Sequence, residues 1–110
     1  MKTLIIENNW MPYTSHGWGN GYVLIPQGHK LHSLSYDELN DFPQIDVNGG
    51  LTFSELVDKD WAECLGLPKS DIGMWCVGFD TAHYRDTLSV WPKEKVQEEA
   101  DRLLSQLQSI

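Results

Sequence analysis

The residues best equipped for chemistry fall in three short stretches. Asp80, His83 and Asp86 lie in GFDTAHYRD, with Arg85 among them. His29 and Lys30 lie in PQGHKLH, with His32 just beyond. Asp46 precedes the turn Asn48-Gly49-Gly50. A His and an Asp three residues apart share a face when their segment forms a helical turn. Such a pair can act as a base with its orienting group, or contribute to a divalent-metal site. The spacing matches no HExxH, EF-hand or P-loop pattern. On that ground no metal site is assigned and no cofactor is named. The catalytic candidates are His83, Asp80 and Asp86.

Each stretch also has a plainer explanation. Asp80 can cap the turn that follows a strand, which leaves His83 as a half-exposed loop residue. His29 and Lys30 follow Pro26 and Gly28, where turn chemistry alone accounts for a polar surface. The same stretch offers backbone N–H groups and the Lys30 ammonium to an anion. Gly49 and Gly50 suit a hairpin turn, and they also allow close approach of a ligand to the backbone. Arg85 can hold a phosphate or pair with a neighbouring acid. Trp10, Tyr13 and Trp18 can stack on a base or sugar, or anchor the core.

These residues need elements to position them. Thr3–Ile6 and Tyr22–Ile25 read as strands, joined by an irregular Gly- and Trp-rich loop. Ser35 and Glu38 have capping-box spacing and predict a short helix over Tyr36–Asn40, barred from continuing by Pro43. Ile45–Val47 and Leu51–Phe53 are expected to form a hairpin across Asn48-Gly49-Gly50. Asp58–Leu65 reads as a short helix ending at Gly66. The apolar run Ile72–Phe79 is expected to be a central strand covered on both faces, with Gly73 and Gly78 marking close approach or a bulge. Pro92 opens the clearest helix, with Val96, Ala100, Leu103, Leu104 and Leu107 along one stripe. The expected fold is α+β: a small, mostly antiparallel sheet packed by a C-terminal helix, in a single domain over residues 1–110.

Composition narrows the function classes. Sixteen acidic and eight basic residues give a net charge of -8. That balance opposes binding of a nucleic-acid polymer, which needs clustered Lys and Arg. The chain has no apolar run long enough for a membrane span. Its start lacks the apolar core and cleavage site of a secretion signal. Cys64 and Cys76 form no CxxC pair, and a cytoplasmic location with reduced thiols is expected. Cys76, inside MWCVGF, reads as a small buried hydrophobe rather than a reactive thiol.

The stretches GYVLIPQGHKLHSLSYDEL, IDVNGGLTFS and MWCVGFDTAHYRD, in that order, resemble a family of small uncharacterised proteins of bacteriophages and bacteria. That family's pattern has a GYV strand, a GHP-type turn, a DVHGGLT(Y/F)S turn, a Trp followed by GFD-x-AH-x-x-D, and a C-terminal helix. The similarity spans Gly17 to Leu107. His29, Asp46, Gly49, Gly50, Asp80, His83 and Asp86 match it. Asn48 stands where the family has His, and Lys30 where it has Pro. An amide in place of an imidazole is a poor ligand for zinc, which weakens a metal-enzyme reading.

The resemblance implies a small phage-type accessory protein. Its expected role is to bind a small polar or nucleotide-derived ligand, sequestering a host immune signal in the bacterial cytoplasm. The residues expected at the ligand are His29, Lys30, Asp46, Asn48, Gly49, Gly50, Asp80, His83, Arg85 and Asp86. A homo-oligomer is expected if subunits share the site. The alternatives are a His/Asp or metal-assisted hydrolase of a phosphoester-type substrate, and an acidic inhibitor of a host protein.

Overall fold

The computed structural model describes residues 1–9 and 16–110. Trp10 and Tyr13, two of the candidate stacking residues, lie outside the described residues. The fold is α+β. Strands β1 (Lys2–Glu7), β2 (Gly19–Ile25), β3 (Phe53–Leu56) and β4 (Trp75–Phe79) form one sheet. Its order is β1-β2-β4-β3, and every pairing is antiparallel. The helices are α1 (Tyr36–Asn40), α2 (Lys59–Leu65) and α3 (Lys93–Gln108), with a 3₁₀ turn at Lys69–Asp71. No helix among the described residues is long and apolar enough to cross a membrane.

Strand alternation sorts the core into two layers. Val23, Ile25, Val77 and Phe79 face α3, which buries Val96, Ala100, Leu103 and Leu107 against them. These helix positions recur at intervals of three and four, so they form one apolar stripe. Tyr22, Leu24 and Cys76 point to the opposite face and pack with Val57 and with Ala62 of α2. The inner strands β2 and β4 are therefore apolar on both sides. At Gly78 a β-carbon would overlap the Tyr22 ring, so this glycine marks the close approach expected in the run.

The helix ends follow their local chemistry. Ser35 and Glu38 form the full capping box at α1. The Asp58 side chain accepts from the Trp61 N–H at α2, and Gly66 closes that helix in the left-handed region. Pro92 occupies the N-cap of α3, one position before the first helical residue. Trp18 packs against the α3-side core, with Lys93 Nζ 5.7 Å from its ring centroid.

The expected hairpin does not form. Ile45–Val47 is not a strand, and β3 pairs with β4 instead. The reason is competition for the backbone of this segment. Asp46 N–H donates to Gln106 Oε1, and the Asp46 carbonyl accepts from Gln106 Nε2 and Arg102 Nη2. Asn48 N–H donates to Glu99 Oε2. Side chains of α3 thus hold groups that a strand ladder would need. Gly50 N–H still bonds to the Val47 carbonyl, so a turn forms without its hairpin. The sheet boundaries also move. β2 starts at Gly19, ahead of Tyr22, and β4 starts at Trp75 because Ile72-Gly73 continues the 3₁₀ segment as a turn, closed by the Met74 N–H donating to the Asp71 carbonyl.

Three measurements test this packing. Leu103→Ala should cost about 2–5 kcal/mol in denaturant unfolding, since Leu103 is fully buried under the sheet. Burial pushes the Cys76 thiol from 9.0 up to about 12, whereas Cys64 is exposed. A thiol reagent should modify one cysteine of the native chain, Cys64, and reach Cys76 only on unfolding. The neutral Cys76 thiol contributes its full stability below about pH 9. That contribution should fall as pH rises toward 12, because the unfolded thiol ionises first.

Candidate functional site

The loop after β4 turns on itself, and one carboxylate organises it. Asp86 Oδ2 accepts from the backbone N–H of His83 at 3.0 Å and lies 3.1 Å from His83 Nδ1. The same oxygen accepts from Asn48 Nδ2 at 3.1 Å. The Asp86 side chain is 7% exposed, so these partners compensate a nearly buried charge. Asp86 N–H returns a bond to the His83 carbonyl at 2.9 Å.

Asp80 approaches the same imidazole nitrogen. Its Oδ1 lies 3.4 Å from His83 Nδ1 and accepts from Ala82 N–H at 3.0 Å. Its Oδ2 accepts from Thr52 Oγ1 at 2.9 Å. Asp80 therefore caps the turn and flanks His83 at once. A carboxylate can only accept, so a neutral His83 places its proton on Nδ1 and its lone pair on Nε2. No described residue hydrogen-bonds to Nε2, and the side chain is 35% exposed. The ring is steered but open.

The Asn48-Gly49-Gly50 turn forms the opposite wall. Gly49 has φ +71°, and a β-carbon there would overlap the His83 ring. Glycine is required here on two counts, conformation and close approach. Asn48 is itself fixed from α3, through its N–H to Glu99 Oε2. Arg102 Nε donates to Glu99 Oε1 at 2.8 Å, and its pKa is raised chiefly by that bond. A continuous chain of contacts therefore runs from α3 to His83.

Five of the sequence candidates meet in this cluster: Asn48, Gly49, Asp80, His83 and Asp86. Gly50 lies next to it at φ +76°, where Asn40 clamps Leu51 through two bonds of 2.9 Å. Asp46 contributes its backbone to α3, and its side chain is exposed. Tyr84 and Arg85 follow His83 in the chain, and both are exposed. Tyr84 is 90% exposed, with the Arg85 guanidinium carbon 5.5 Å from its ring centroid. Arg85 has φ +74°, which few residues other than glycine adopt, and no carboxylate pairs with it among the described residues.

His29 and Lys30 are elsewhere. They follow the C-terminal end of β2, whereas Asp80 follows that of β4, and the two strands are antiparallel. The groups thus sit at opposite ends of the sheet, roughly 15 Å apart or more along a five-residue strand. His29 Nδ1 accepts from Leu31 N–H at 3.1 Å and closes a local turn, while Lys30 is exposed. His32 Nε2 bonds to the Gly73 carbonyl at 2.8 Å, which makes it a brace between loops.

Four contributors escaped sequence reasoning: Thr52, Tyr84, Glu99 and Arg102. Thr52 has no distinguishing pattern in the sequence, and Glu99 and Arg102 lie off the apolar stripe of α3. Tyr84 was visible as a large aromatic between His83 and Arg85. No group of three or more His, Cys, Asp or Glu side chains among the described residues is arranged to hold a metal ion. Comparisons with protein families, curated proteins and solved structures find no match.

Gly49→Ala should destabilise the chain by about 1–3 kcal/mol, through its positive φ and the overlap with His83. The imidazole resonances of His83 should shift with it in NMR. Asn48→Ala should cost about 1–2 kcal/mol, because it removes one donor from the Asp86 carboxylate. Unchanged His83 resonances in Gly49→Ala would refute the turn as the wall of the site.

Proposed function

We propose that the protein is a small accessory protein of the phage type it resembles, and that it binds a nucleotide-derived ligand at His83. One observation carries this reading. His83 is oriented through Nδ1 by Asp86 and Asp80, and no described residue bonds its Nε2; the exposed Tyr84 and Arg85 follow it in the chain, and Arg85 pairs with no carboxylate among the described residues. Each part suits one part of such a ligand. Tyr84 offers an uncovered ring for a base to stack on. Arg85 offers a guanidinium fork for a phosphate. Nε2 accepts a hydrogen bond from a sugar hydroxyl or a base N–H.

The charge arrangement supports this division of labour. Asp80 and Asp86 make their own surroundings unfavourable for a phosphate, so the anionic end belongs at the exposed Arg85. The positive φ of Arg85 fits a residue whose placement serves something other than local stability. Capture of a host signalling nucleotide is the use that the resemblance supports, with the cytoplasm as the compartment.

Thermal shift and calorimetry against nucleosides, mononucleotides and cyclic dinucleotides test the proposal. At least one member should stabilise the chain, by about 2.7 kcal/mol at one hundred times its dissociation constant. His83→Ala and Tyr84→Ala should each weaken that binding about tenfold or more. A panel in which nothing stabilises the wild type would overturn the reading.

The imidazole–carboxylate pair favours a second reading, acid–base hydrolysis of a phosphoester-type substrate. Here Asp86 orients His83, and His83 takes a proton from water through Nε2. Turnover of a chromogenic phosphodiester that is lost in His83→Ala would favour it. Turnover unchanged in that variant would remove His83 from any mechanism.

A further inference from the structure

A second surface feature lies away from His83. A groove of about 460 Å³ runs between β3 and α2. Its base is aromatic: the rings of Phe53 and Trp61 lie 5.8 Å apart, tilted by 35°. Leu56, 48% exposed, lines its edge. The rim is acidic, with Glu55, Asp58 and Asp60 all exposed. No basic side chain lines it, and Lys59 lines a different hollow with Ala62 and Leu67. None of the three rim carboxylates forms an ion pair among the described residues. Asp58 is engaged only in capping α2, through the Trp61 N–H at 2.8 Å.

Aromatic faces ringed by unpaired carboxylates suit a cation that carries apolar surface. We infer that this groove docks a basic segment of a partner protein, with an Arg or Lys side chain over Trp61 and Phe53 and an adjoining apolar side chain against Leu56. Glu55 and Asp60 meet the charge. A hydrated metal ion would make no use of the rings. A free small cation would leave most of 460 Å³ unfilled and Leu56 uncovered. The net charge of -8 steers the same class of partner, since it accelerates encounter with basic proteins. The inference does not depend on what His83 binds.

The test uses the full chain and a short fluorescein-labelled peptide of alternating Lys and Leu, followed by anisotropy. Binding should weaken about tenfold between roughly 50 and 300 mM NaCl. The double variant Glu55→Lys with Asp60→Lys should lose about tenfold or more in affinity. A control with Glu94→Lys and Glu98→Lys on α3 alters net charge equally and should bind within about twofold of wild type. His83→Ala should also leave binding unchanged, and the same peptide with Glu in place of Lys should not bind. Trp61→Ala should abolish binding; because Trp61 also packs in the core, the exposed rim variant carries the decision if Trp61→Ala fails to fold. Equal losses in the rim and α3 variants would overturn the inference, as they would show only a general charge effect. So would wild-type affinity in the rim variant, or equally tight binding of free lysine amide.

Discussion

A nearly buried carboxylate has to be answered by donors, and Asp86 decides how this molecule is tied together. Its Oδ2 meets the backbone N–H and the imidazole of His83, and also the amide of Asn48. The first two bonds fold the loop after β4 into a turn. The third joins that loop to a turn about forty residues earlier in the chain. Glu99 holds the Asn48 backbone from α3 while the Asn48 side chain answers Asp86. Helix, turn and loop are therefore placed by one charge that cannot be left without partners. Unpairing it would cost more than any single contact in the group contributes.

This dependence explains what was readable in the sequence and what was not. Periodicity identified α3, because Val96, Ala100, Leu103 and Leu107 all face one sheet. Cap chemistry identified α1 and α2, because Ser35, Glu38, Asp58 and Gly66 act on their own neighbours. Ile45–Val47 departs from its local signal for the opposite reason. Asn-Gly-Gly is a local hairpin signal, but the decisive bonds come from Gln106, Arg102 and Glu99, more than fifty residues away. Local rules had no means of weighing them. Likewise, His83 with Asp80 and Asp86 stood out as a constellation because i and i+3 lie close in a turn. Thr52 and Asn48 join it only through the sheet and through α3. His29 looked equivalent to His83 in type and setting, and antiparallel pairing of β2 with β4 put them at opposite ends.

The net charge of -8 divides along the same lines. Asp80 and Asp86 are spent on His83. Glu99 is spent on Asn48 and Arg102, and Asp71 on Lys2 at 2.7 Å. These acids are structural, and their charge is largely answered within the chain. Glu55 and Asp60 are different, because nothing in the described chain answers them. Negative charge that holds the fold together and negative charge that faces outward are thus separable by partner, though not by position along the sequence.

The beginning of β3 is where the two meet. Thr52 bonds through its N–H to the Gly78 carbonyl and through its hydroxyl to Asp80. The next residue, Phe53, pairs across to Gly78 and lines the groove. Successive residues of a strand point to opposite faces, so one short segment holds Asp80 with one side chain and lines the groove with the next. A one-residue slip of β3 would exchange those faces and dismantle both. Its register is fixed through four paired positions with β4 and through Asn40, which clamps Leu51 just upstream. The shortest strand of the sheet therefore carries the constraint that keeps the two regions in being together.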